Sequence, residues 1–180
     1  NAGLVSVARA CIDAGVGKLV IVSSGAVTKP TSPVYLFLNL FGGIMAEKIK
    51  GEDIVRRLYA DEGVAEKNGK VLSYTIIRPG GLTEDIGRGP SELELNQGDT
   101  KSGRIARADV AELCVEAAVN FPDITANVTF ECYDADTGAP LASVGISNIF
   151  KQKTDSLSFV SGKEKNGNSY KELFTGLERD

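Results

Sequence analysis

Two stretches of this sequence carry residue types that could do chemistry. The apolar run KLVIVSS closes on adjacent hydroxyls, Ser23 and Ser24. The run SYTIIRPGGL closes on a cation and a bare turn, Arg78-Pro79-Gly80-Gly81. Small hydroxyls at a strand end either hydrogen-bond a ligand, because α/β sheets bind at the carboxyl ends of their strands, or simply finish the strand. Proline fixes one dihedral and removes a donor, while glycine permits close approach of another group. The Pro79–Gly81 turn therefore reads either as backbone left open for a ligand or as a plain strand-to-loop turn. Arg78 either neutralises a phosphate or forms an internal ion pair, and the ion pair is the stronger expectation.

Composition narrows the chemistry further. The 180 residues contain no histidine, which excludes a Ser-His-Asp hydrolase and histidine-ligated zinc. Cys11, Cys114 and Cys132 show no paired or metal-like spacing, so buried thiols in a reducing compartment are expected and no metal site is. A net charge of -4 gives no support for nucleic-acid binding. The basic cluster Lys48, Lys50, Arg56 and Arg57 is interrupted by acids and reads as a solvated helix face. VYLFLNLFGGIM is too short for a transmembrane span, but residues 34–45 could form an apolar docking surface.

The elements that must position these residues follow from periodicity. Leu4, Val5, Ala8, Cys11 and Ile12 repeat at helical spacing, with Gly15 as the expected C-cap. KLVIVSS reads as a parallel strand buried on both faces. The pattern from about Leu36 to Asp61 is helical, KVLSYTIIRPG is the next strand, and RADVAELCVEAAVN is an amphipathic helix. NVTFECYD reads as a strand, SYKELFTGLERD as a short closing helix, and residues 138–168 as an irregular extension, with or without a hairpin. Alternating helices and strands of this kind make an α/β sheet with right-handed crossovers. Only about three parallel strands are visible, whereas doubly wound dinucleotide-binding sheets have about six. Asn1 also opens directly on a helical pattern. Either an amino-terminal half precedes this sequence or another chain completes the sheet, and the first is expected.

Three segments in this order, AGVGKLVIVSSGAVTKP, KIKGEDIVRRL…YTIIRPGGL and GDTKSGRIARADVAELCVEA, resemble the atypical short-chain dehydrogenase/reductase family, in its NmrA-like and plant plastid NAD(P)-binding branch. The resemblance covers roughly Ala2 to Asp134. It implies a Rossmann-like, doubly wound parallel sheet lacking here its first strands and Gly-rich phosphate loop. Residues 1–137 would then be the carboxyl-terminal part of an NAD(P)-binding domain, followed by the extension and closing helix of 138–180. It also implies NADP or NAD as cofactor, with Pro79, Gly80 and Gly81 beside the nicotinamide and Ser23 or Ser24 on a substrate carbonyl. Lys50 would hold the nicotinamide ribose, and with Ser24 it is the expected catalytic residue; Arg78 joins the cofactor-binding set. The family's active members pair such a lysine with a tyrosine four residues before it, and that position here is Ala46. Without the phenol, ordinary carbonyl reduction would lose the two to four orders of magnitude that acid–base catalysis typically contributes. Arg107 and Asp109, in the family hallmark RADVAE, are expected to lock a helix to the sheet. Three functions follow as alternatives: a specialised oxidoreductase, a noncatalytic docking subunit using residues 138–168 or 34–45, or an NADP sensor. A plastid or cytosolic location is implied only by the likeness and the cysteines.

Overall fold

The computed structural model describes residues 1–40, 42–61, 71–141 and 160–180. Helix α1 (Ala2–Ala14) stops where Gly15 turns left-handed at φ 68°, its amide bonding back to Ile12. Strand β1 (Lys18–Val22) follows directly. Ser32 then caps helix α2 (Pro33–Asn39), its hydroxyl accepting from the Tyr35 amide, with Pro33 in the first turn. Helix α3 (Ile44–Asp61) comes next. The single helix expected from about Leu36 to Asp61 is thus two helices. Gly42 and Gly43 sit at φ 79° and 71°, a left-handed pair that no α-helix continues through.

Strand β2 (Ser73–Pro79) pairs in parallel with β1, Lys18 to Val22 facing Ser73 to Ile77. Beyond the bare turn, short strands β3 (Gly81–Thr83), β4 (Leu93–Asn96), β5 (Lys101–Ser102) and β6 (Arg104–Ala106) lead into helix α4 (Arg107–Val115). A π-helical turn over Glu116–Asn120 prolongs α4. Strand β7 (Val128–Asp134) is parallel to β2, β8 (Ala139–Pro140) pairs with β5, and helix α5 (Tyr170–Phe174) closes the chain.

The main sheet has the order β1-β2-β7-β4, with three parallel strands and β4 antiparallel at one edge. β1 is the other edge. Successive side chains on a strand point to opposite faces, and β2 shows it. Ile76 joins Ala8, Ile12, Val55 and Tyr59 beneath α1 and α3, while Ile77 joins Val110, Leu113, Phe130 and Phe174 beneath α4 and α5. Helices on both faces explain why β2 and β7 are buried at every position. Of the extension expected over 138–168, β8 lies against β5, and Lys165 bridges Leu95. Most of it, with any hairpin, falls outside the described residues. No helix among the described residues is long and apolar enough to cross a membrane.

Candidate functional site

Parallel pairing in register brings the two chemically loaded strand ends together. The Ser23 amide donates to the Ile77 carbonyl at 2.7 Å and the Gly25 amide to the Pro79 carbonyl at 2.9 Å. The Ser23–Gly25 loop therefore lies against the Arg78–Gly81 turn at the carboxyl end of the sheet, where α/β folds bind ligands.

The two serines separate in role. Ser23 is buried, and its hydroxyl donates to Glu52 Oε1 at 2.5 Å. Ser24 is half-buried and, among the described residues, its hydroxyl reaches only the neighbouring Gly25 carbonyl, at 3.1 Å. Ser24 is the hydroxyl free to turn to a ligand.

Arg78 is spent internally. Its guanidinium gives Nη2 to Glu52 at 2.5 Å and Nη1 to Glu131 at 3.1 Å, with all three side chains buried. Burial alone would lower its pKa; the hydrogen bond and charge of Glu52, with Glu131, outweigh that and carry it above the ordinary value. Glu131 moves the other way, up to about 7, through burial and then the charge of Asp99, against the pull of Arg78.

The glycines of the turn also divide. A Cβ on Gly80 would lie 2.2 Å from the Gly103 carbonyl oxygen, and the Gly81 amide donates to that same oxygen at 2.8 Å. The bareness of Gly80 thus has an internal cause: the parallel pairing of β3 with β6 presses one backbone on another. A Cβ on Gly81 would meet nothing closer than 3.7 Å. At that distance a Cβ makes only ordinary van der Waals contact, so packing does not require a glycine at Gly81.

Lys50 is not brought to this place. It stands on the exposed side of α3, 61% exposed, paired with Glu47 at 2.8 Å. Helical phase selects Lys48 instead, one turn before Glu52 and on the same side. Lys48 Nζ donates to the Ser23 carbonyl at 3.3 Å, and its pKa is lowered by burial, against the pull of Glu52. The sequence offered a signal, since Lys48 and Glu52 share the i, i+4 spacing, but interrupted charge made the whole face look solvated. Lys48, Glu52 and Ser23 line one cleft of about 390 Å³ along the free edge of β1, with Val22, Gly42 and Ile44. Four residues before Lys48 stands Ile44, so neither lysine has a tyrosine at that spacing.

Asp109 has a structural role. It is fully buried and accepts the amides of Arg88 and Gly89 at 2.9–3.0 Å, while Arg107 pairs with Glu84. No cluster of three metal-ligating side chains occurs among the described residues.

A parallel α/β sheet with helices on both faces, and hydroxyl, lysine and bare turn gathered at its carboxyl end, defines a nucleotide-binding class of domain. Residues 1–120 match the family described as NAD(P)H-binding, and the chain belongs to it. It is 38% identical over 122 residues to an uncharacterized chloroplastic protein of Arabidopsis thaliana, covering 65% of this chain and 39% of that protein. It is 35% identical over 146 residues to sanguinarine reductase of Eschscholzia californica, covering 78% of this chain and 46% of that one. The chain thus spans less than half the length of these two relatives. Among solved structures, a short-chain dehydrogenase/reductase of Veillonella parvula in complex with NADP superposes with a TM-score of 0.54, at 17% identity, over 74% of this chain and 58% of that one. That likeness is one of fold.

Proposed function

We propose that this chain is the carboxyl-terminal part of an NAD(P)-binding oxidoreductase-like domain, the part that holds the nicotinamide end of the cofactor and the substrate. The observation that carries the reading is the convergence of Ser24, Lys48 and the Pro79–Gly81 turn at the carboxyl ends of β1 and β2. These residues fit the nicotinamide end. An ammonium beside the strand end suits ribose hydroxyls, the bare backbone of Gly81, where packing does not require a glycine, suits the approach of a flat ring, and Ser24 can donate to a carbonyl. When bound, the cofactor supplies or takes the hydride. The chain's own residues orient the ring, hold the ribose and bind the carbonyl oxygen. Lys48, half-buried and easier to deprotonate than an exposed lysine, reaches the strand end and is the side chain assigned to give a proton. Lys50 enters this reading only as part of the outer charge of α3.

Fluorescence titration of the full-length protein with NADPH and NADH tests it. Saturable binding that weakens at least tenfold in Lys48→Ala, with Lys50→Ala unchanged, is the expected result. Absence of saturable binding to the unsubstituted protein overturns the proposal.

A second reading has its own observation. Leu36, Leu40 and Ile44 are 57%, 79% and 45% exposed, on either side of the Gly42-Gly43 break, and Ile44 lines the cleft. These exposed apolar side chains within residues 34–45 support docking of a protein partner, as a subunit with little or no turnover. Replacing all three by Ser should release the protein from a native complex; unchanged co-migration removes the support. The chloroplastic relatives favour the plastid as the place of either activity.

A further inference from the structure

Two of the non-glycine residues in the left-handed region meet in one contact beside the candidate site. Ala26 sits at φ 67° and Asp99 at φ 55°, and both are fully buried. Each carries backbone strain, and such strain persists only where surroundings enforce it. The enforcement is visible. Asp99 Oδ1 accepts the Ala26 amide at 2.6 Å, and Oδ2 accepts the Thr28 amide at 2.9 Å and the Thr28 hydroxyl at 2.8 Å. The Asp99 amide in turn donates to Glu131 Oε2 at 2.9 Å, and Glu131 leads through Arg78 and Glu52 back to Ser23. The segment Ser23–Thr28 is thus gripped at both ends by one closed circuit. Ser24 and Gly25, the residues left between the grips, face the Pro79–Gly81 turn.

We propose that Asp99 is a positioning residue for the candidate site: by holding Ala26 left-handed and tying Thr28, it fixes the loop that presents Ser24 and Gly25 to the nicotinamide and substrate. The proposal rests on the nucleotide reading for its consequence and on the hydrogen-bond circuit for its mechanism. Asp99 touches neither ligand. Its carboxylate supplies the acceptor that the buried, strained Ala26 amide could not otherwise find, and ties the exposed Thr28 to the same group.

The test separates the two supports. Asp99→Asn keeps the size but loses one acceptor, and Ala26→Gly removes the cost of the left-handed turn. Amide hydrogen exchange on the full-length protein without nucleotide reads the loop; NADPH fluorescence titration reads the site. Asp99→Asn should speed exchange at Ala26 and Thr28 at least tenfold while β2 and β7 keep their protection. NADPH affinity should fall at least fivefold, and adding Ala26→Gly should recover part of that loss. Exchange that rises equally across the sheet means a merely structural residue and overturns the proposal, as does a loosened loop with unchanged affinity. If Asp99→Asn fails to fold, the Thr28→Val protein, which loses one hydrogen bond to Oδ2, should show the same local pattern at smaller size; its absence overturns the proposal too. If the unsubstituted protein binds no nucleotide, the site reading fails and the consequence for binding fails with it. The exchange result still decides whether Asp99 orders the loop.

Discussion

Gly80 and Gly81 are neighbours of one type, yet the structure assigns them opposite sensitivities. A Cβ on Gly80 would sit 2.2 Å from the Gly103 oxygen and 2.8 Å from its carbonyl carbon, both backbone atoms with no side-chain freedom to escape. Reaching the 3.0 Å floor of real Cβ contacts requires the two backbones to part by about 0.8 Å. The 2.8 Å bond from the Gly81 amide to that oxygen would be lost in the process. Overpacking of this kind costs about 1–3 kcal/mol, and a broken buried hydrogen bond about 1 more, so Gly80→Ala should lose about 2–4 kcal/mol. With a urea slope of about 2 kcal/mol per molar, the unfolding midpoint should drop by about 1–2 M. In Gly81→Ala the new methyl meets Gly103 and Arg104 at 3.7 and 3.8 Å, so stability should stay within about 0.5 kcal/mol. Its effect should fall on NADPH affinity instead, by at least tenfold, because the methyl would stand where the ring is proposed to approach the bare backbone. Equilibrium urea unfolding and NADPH titration of both variants decide it. An unchanged midpoint for Gly80→Ala refutes the packing argument, and full NADPH affinity in Gly81→Ala refutes the placement of the ring at Gly81.

Other perturbations follow from the buried circuit. Arg78→Met leaves Glu52 and Glu131 buried without their shared cation, and a stability loss of about 3–5 kcal/mol is expected in chemical denaturation; a loss under 1 kcal/mol would show that water or Arg56 replaces the guanidinium. Glu131 has a folded pKa of about 7 against an ordinary 4.5, raised by burial and Asp99 and opposed by Arg78. Between those values the native state holds more protons than the unfolded one, so this group makes stability fall as pH rises from 4.5 to 7 and adds no slope above 7. The drop is at most about 3 kcal/mol, and Glu131→Gln should flatten it; an identical pH–stability slope in that variant removes the argument. Asp109→Ala removes a buried carboxylate from the amides of Arg88 and Gly89, and a loss of about 2–3 kcal/mol is expected from these charge-assisted hydrogen bonds, with NADPH affinity unchanged once the protein is folded. Lower affinity in the folded variant would give Asp109 more than a structural role.

The sheet was legible because its signals are local. KLVIVSS and SYTIIRPGG are continuous apolar runs ended by small or rigid residues, and α1 carries its own stop in Gly15. The break at Gly42-Gly43 was legible in kind but read through, since apolar periodicity continues on both sides of it. β4 was missed because LELN is short and its partner, β7, lies more than thirty residues downstream; only tertiary pairing makes it a strand. At the site, Ser24 and the bare turn were readable as strand ends. Lys48 was not, because choosing between Lys48 and Lys50 needs the phase of α3 relative to β1, which tertiary packing sets. The need for a bare Gly80 and the grip of Asp99 on Ala26 arise from contacts across more than twenty and seventy residues respectively, and no spacing in the chain announces either.

The central claim places the nicotinamide end of the cofactor at the carboxyl ends of β1 and β2. A crystal structure of the full-length protein with NADP bound tests it most directly. The account predicts the nicotinamide ring against the backbone of Gly81, Lys48 Nζ within hydrogen-bond distance of the ribose, and Lys50 still on Glu47. A dinucleotide seated elsewhere on the protein, with Ser24, Lys48 and Gly81 untouched, would contradict it.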